Sequence, residues 1–471
     1  MRQPGTDAPG PAPHPVTKPL GKLVGSDWDS CLFAWSVWAG VVLVALRVAF
    51  RGRKYPYTDD WALVPFLTGQ EPVTLGWLWA ETGNHRIPLV KVAFVALYNR
   101  FTTYDFRLGV VVNVLALAAL AGGLMLMARR LRGSTAYSDA FFPLTILQWG
   151  LAATWWNFGL HYVCWLLVAT AFLAIILRHE RGMSDGYALL SAASVVLLPL
   201  CGTIGLVLVP ALAVWLLIVG CLEWRAENGN RRAALVAALG AGGSLTIALI
   251  SLVGLTTGSV YRGVDPSAIL TVSVIFLSGE FGRAFSGFRL APWPFFMPCL
   301  ALASAVALIR AIQSREVERR RGSGLLLFLA AMVCLALAVG FGRGGRDWQT
   351  PGVRDHYAIL AVPLLIWAHF VWILYYGSRP VGRFVQMSLL ALVGVVFVLN
   401  LGSREYVARI REWEERFDED ARARVSASAL AERYRELFWW QDTDVGRLRV
   451  AEGLRTLRRA GVSPFRFIRE D

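Results

Sequence analysis

The stretch CLFAWSVWAGVVLVALRVAF, residues 31–50, decides the class of fold. A single basic residue, Arg47, interrupts a run that is otherwise apolar or small. As a helix such a run reaches across the ~30 Å hydrocarbon layer of a bilayer. It lacks a small-residue cleavage site and is expected to remain as a first transmembrane helix. Residues 1–26 ahead of it are rich in Pro and Gly and poor in apolar bulk, the composition of a disordered tail. Further apolar runs at 108–128, 140–156, 160–178, 186–200, 203–222, 233–256, 294–313, 323–341, 356–376 and 383–401 bring the expected total to about eleven crossings.

Composition points the same way. Of 471 residues, 56% are hydrophobic and only 17% charged, which excludes a soluble globular enzyme and fits an all-α polytopic membrane protein. The cysteines lie in or beside apolar runs without a CxxC, so neither a disulfide framework nor a thiolate metal site is indicated. No nucleic-acid motif is present, and the net charge of +14 follows from arginines in the connections and the tail.

Those arginines orient the chain. Arg129, Arg130 and Arg132; Arg178 and Arg181; Arg225, Arg231 and Arg232; Arg310, Arg315, Arg319, Arg320 and Arg321; and Arg379 and Arg383 fall in every second connection. Cytoplasmic loops keep positive charge, so the expected N-terminus is cytoplasmic and the protein sits in the cytoplasmic membrane. Arg47, Arg51, Arg53 and Lys54, after the first span, oppose that vote and need an explanation of their own. The loops on the outer side are the long ones. The first, 51–106, mixes Trp77, Trp79, Ile87 and Leu89 with polar residues and reads as interfacial amphipathic helices. The run at 268–279 is short for a crossing and reads as re-entrant or surface-lying. Residues 27–401 thus form the membrane domain. Residues 402–471 turn charged and helix-prone, a small extracytoplasmic helical domain expected to cover the catalytic face or meet the acceptor.

Within the first outer loop stands YPYTDDWALVP, residues 55–65. Asp59 or Asp60 can cap a helix beginning near Trp61, a role that accounts for one acid better than for two. The alternative is chemical: one carboxylate is a general base toward an acceptor hydroxyl, and the other orients it or holds a divalent cation. Asp59 is the candidate base, with Asp60 its partner or a metal ligand. Arg86 and Arg354 are the candidate phosphate clamp, joined by Lys54 and His356. Tyr57, Trp61, Asn84, His85, Asn157, His161 and Tyr357 are candidate substrate contacts. Trp156 belongs either to the aromatic belt at headgroup depth or to a stack on a sugar or lipid chain. His85, His161 and His356 all fall at outer ends, where they serve either as hydrogen-bonding groups or, with the aspartates, as ligands for Zn or Mn.

DDW, NHRIPL, WWNFGLHYVCWLL, CGTIGLVLVP, RDHYAIL and LRRAGVSPF follow one another in this order. With an N-in multispanning bundle and an acid pair in the first outer loop, the chain resembles the GT-C superfamily of integral-membrane glycosyltransferases, in particular a group of bacterial members. The resemblance covers most of the chain after residue 55. It implies an inverting transfer of a sugar from a polyprenyl-phosphate donor to an envelope glycan, lipid or protein, with an acidic motif in the first outer loop serving the reaction. Two departures stand out: Gly83, Asn84, His85 and Arg86 replace an Asn-Glu-His-Arg pattern, and Asp355, His356 and Tyr357 replace Ser-Arg-Tyr. The rival classes are a transporter or flippase of lipid-linked or anionic precursors, which favours ionisable groups inside the spans and internal repeats, and a non-catalytic assembly partner.

Overall fold

The computed structural model describes residues 24–82, 85–101, 104–179, 182–253, 265–285, 293–314, 318–343, 356–401, 404–438 and 444–471. Among them the chain is helical, with isolated bridges at Thr82–His85 and Ser426–Arg469 and no strand. Its principal helices are α1 (Val24–Ala49), α2 (Pro88–Phe101), α3 (Arg107–Arg132), α4 (Phe141–Ile146), α5 (Leu160–Arg178), α6 (Asp185–Leu197), α7 (Thr203–Arg225) and α8 (Arg231–Leu252). There follow α9 (Pro266–Leu277), α10 (Phe296–Ser314), α11 (Arg319–Arg343), α12 (Ala358–Tyr376) and α13 (Pro380–Asn400). The tail adds α14 (Arg404–Arg422), α15 (Ala427–Arg433) and α16 (Asp444–Arg459).

Among the described residues 9 helices are long and apolar enough to span: α1, α3, α5, α7, α8, α10, α11, α12 and α13. The protein is therefore an all-α polytopic membrane protein. The expected crossings at 140–156 and 186–200 are not single long helices. The first breaks into α4 and a 3-10 turn at Ala152–Trp155, the second into α6 and a 3-10 turn at Leu198–Cys201.

Hydrogen bonds fix which helix ends lie together. Ser30 Oγ at the start of α1 donates to Thr135 O just past α3, and Ser138 Oγ donates to Gln386 near the start of α13. Arg321 on α11 donates to His179 O after α5, Arg320 pairs with Glu223 on α7, and Tyr375 on α12 donates to Glu318. The basic connections thus gather at one end of the bundle. At the other end, Arg107 at the start of α3 donates to Phe50 O after α1, and Asn113 donates to Trp156 O before α5. Residues 135–156 therefore run from one end to the other although no single helix carries them. Backbone without regular hydrogen bonds at this depth needs partners from the protein. Gln148 donates to Glu280 O, and Asn400 Nδ2 donates to Gln148 Oε1 at 2.8 Å.

By the same parity α8 ends and α10 begins at the second end, so α9 lies between them without a net crossing, as expected of 268–279. Its helix is about 18 Å long at 1.5 Å per residue, short of the ~30 Å needed. At the centre stands α12, with every residue from Tyr357 to Val371 buried.

Two apolar cores result. One fills the bundle around α12. The other joins the first loop to the tail: Tyr55, Trp61, Leu63, Phe94, Tyr98 and Phe158 pack with Phe417, Leu430, Phe438, Leu454 and Phe465. Two of the contrary basic residues after α1, Arg53 and Lys54, belong to this second core's rim. Arg53 lies over the Tyr57 ring and donates to Leu437 O, and Lys54 pairs with Asp418 at 3.4 Å.

Candidate active site

TDDWA, residues 58–62, forms a 3-10 turn at the second end of the bundle. Thr58 opens it in the left-handed region, with φ 50°. The turn separates the two acids. Asp60 is buried, with Oδ2 accepting the Tyr57 backbone N–H at 3.0 Å and Oδ1 accepting Asn157 Nδ2 at 2.7 Å. Asp59 is half-buried, and among the described residues no hydrogen bond reaches its carboxylate. Neither acid is the expected N-cap: Tyr57 holds that position, and Asp60, three residues on, reaches back to its N–H.

The Asp60 clamp is built from elsewhere in the chain. Tyr98 on α2 donates its hydroxyl to Asn157 Oδ1 at 3.0 Å, and Trp156 Nε1 donates to Tyr57 O at 3.2 Å. Asn157 lies across the start of α3 at Gly109, where a Cβ would overlap its Oδ1. Only glycine leaves room for that carboxamide. Burial dominates the electrostatics: it pushes the Asp60 carboxyl up to about 7 despite the donors from Asn157 and Tyr57. Burial also raises Asp59, while Arg449 in the tail favours its ionised form. A partly desolvated carboxylate is a stronger base, as proton abstraction near neutral pH requires.

Beside the acids runs a row of rings. His85 lies 5.4 Å from His161 between centroids, His161 lies 3.7 Å from Tyr162, and Tyr162 lies 5.9 Å from His356 and 6.1 Å from Tyr357. His85 Nδ1 meets Thr203 Oγ1 at 2.5 Å, on the first residue of α7. The turn that presents Thr203 depends on Gly202, whose φ of +134° disfavours any side chain. Burial, helped by Arg343, holds His85 down to about 4, so its ring is neutral at pH 7. His161 Nδ1 lies 2.7 Å from Phe158 O; the carbonyl can only accept, so Nδ1 carries the proton. Its Nε2 is then a bare lone pair, buried and, among the described residues, without a partner. Such a group accepts a hydrogen bond from a hydroxyl. Arg343, at the end of α11, donates to the Tyr357 hydroxyl and lies 5.1 Å from that ring.

Of the residues singled out in the sequence, Asp59, Asp60, Tyr57, His85, Trp156, Asn157, His161, His356 and Tyr357 lie together here. Three expected contacts are placed elsewhere. Arg86 donates to Ile250 O and Ser251 O at 3.3 and 3.1 Å, satisfying the open carbonyls at the end of α8. Lys54 is spent on Tyr55 and Asp418. Trp61 is 2% exposed, with Nε1 donating to Phe438 O, so it anchors the tail and not a substrate. Asn84 and Arg354 lie outside the described residues. The expected metal role of Asp60 is also replaced. Both its oxygens accept hydrogen bonds, and among the described residues no three His, Cys, Asp or Glu side chains converge as ligands. Among the described residues, a cation that does reach the ring row is Arg343. Its sequence signal was a basic residue at the outer end of a span, shared with several others.

Comparison with family models, with curated proteins and with solved structures returned no match.

Proposed function

We propose that this protein is a GT-C-like membrane glycosyltransferase. It moves a sugar from a polyprenyl-phosphate donor to a cell-envelope acceptor on the outer side of the cytoplasmic membrane. The observation that carries the reading is the divided acid pair: Asp60 clamped, Asp59 open, with Arg343 and the imidazoles close by. Asp59 takes the proton of the acceptor hydroxyl as that oxygen bonds to the anomeric carbon. The bond from the anomeric carbon to the phosphate oxygen breaks, and polyprenyl phosphate departs with its electron pair. Arg343 stabilises the departing charge. His161 Nε2 accepts from a sugar hydroxyl. The charge pattern of the connections supports an outer location for this end of the bundle.

The test is release of polyprenyl phosphate from a panel of lipid-linked sugars in membranes holding the protein. Release that depends on an acceptor extract supports the reading; no release from any donor contradicts it.

One observation favours a transporter instead. His369 lies buried midway along α12, stacked on Phe141 at 4.2 Å, and among the described residues neither ring nitrogen has a hydrogen-bond partner. Ionisable groups inside spans mark conduction paths. Movement of intact lipid-linked sugar between leaflets, without donor cleavage, identifies that reading.

A further inference from the structure

The tail reaches the acid pair through α16. Gly453 lies so close to Trp61 that a Cβ there would overlap the indole ring. Gln70 Nε2 donates to Thr456 O at 2.6 Å, a hydrogen bond that joins the same loop to the helix. Arg449 stands four residues before Gly453, one turn back on the same helical face. Trp61 is two residues beyond Asp59 in the same 3-10 turn, so the part of α16 that carries Arg449 packs beside the turn that carries Asp59.

We propose that Arg449 is a positioning residue for Asp59, delivered to the candidate active site by the docked tail. The proposal rests on the reading of Asp59 as the general base. Asp59 adjoins Asp60 in its own turn, and a second carboxylate disfavours a negative charge beside it; Tyr162 on α5, a neutral phenol, supplies no compensating charge. Arg449, from α16, is the group that does. The tail thereby has a reason to share a core with the first loop. It fixes the height of α16 over the turn, and with it the field at the base.

The test reads Asp59 directly, in the full-length protein in membranes. A diazo reagent esterifies protonated carboxyls, and peptide fragmentation locates the ester on Asp59 as pH is varied. Arg449→Gln, on an exposed helix face, should move the midpoint of Asp59 esterification up by about half a pH unit or more. Arg449→Lys should restore it. Gly453→Ala, which keeps the arginine but lifts α16 from Trp61, should give the same upward shift. An unchanged midpoint in Arg449→Gln overturns the proposal. Polyprenyl phosphate release is followed alongside. A shifted midpoint in a protein that releases nothing keeps the pairing and refutes the transferase, whereas ordinary release with an unchanged midpoint does the reverse.

Discussion

Two neighbouring aspartates behave differently here because the backbone points them apart and only one meets donors. Asp60 takes Asn157 and the Tyr57 N–H, while Asp59 keeps an open face. Burial leaves a signature in stability. With its carboxyl held up to about 7, Asp60 binds its proton more tightly in the folded chain than unfolded. Its contribution to stability is complete below the ordinary carboxylate value of about 4 and is lost as pH rises through about 7. Glu414, which accepts the Lys54 N–H and is also pushed up to about 7 by burial, acts in the same direction. Thermal unfolding of the purified protein should therefore occur at higher temperature near pH 5 than near pH 8, within the window these groups define. Asp60→Asn should flatten that dependence, and stability rising across the window would contradict the assignment.

At the scale of elements, the site depends on one close approach. Asn157 reaches Asp60 over Gly109, so Gly109→Ala should push the carboxamide aside. A loss of about 1–3 kcal/mol is expected for an added methyl in a packed contact. Activity should fall with it as far as in Asn157→Ala, measured by chemical denaturation and donor turnover on the same preparation; a stable variant of full activity would sink the clamp. Asp59 and Asp60 were legible as a pair from two adjacent acids just beyond the first long apolar run. Their separate fates were not, because these depend on Asn157, some hundred residues away in sequence. Arg86 misled for a similar reason: an arginine in the same outer loop as an acid pair reads as a phosphate ligand until the carbonyls at the end of α8 are seen to occupy it.

Across the whole molecule, apolar run length made the long spans readable and the broken ones misleading. Residues 140–156 are apolar enough for a helix, but the chain there turns irregular and borrows partners from Glu280 and Asn400, contacts no local pattern encodes. The tail was readable as helical, yet its shared core with the first loop was not, since Trp61 meets Phe438 only in the folded chain. Arginine parity predicts a sidedness: in a cysteine-free background, a cysteine at Ser428 should react with an impermeant thiol reagent on intact cells and one at Arg232 should not. Reaction at Arg232 alone would invert the topology. The central claim is that Asp59 is the base, beside an Asp60 that is clamped by its own hydrogen bonds. Its most direct test is the turnover of a cleaved polyprenyl-phosphate sugar by Asp59→Asn and Asp60→Asn at matched folding. The account predicts that Asp59→Asn lowers turnover by about 10²–10⁴-fold, the range of a lost general base, with donor affinity nearly unchanged. Turnover by Asp59→Asn equal to that of the unaltered protein would contradict it.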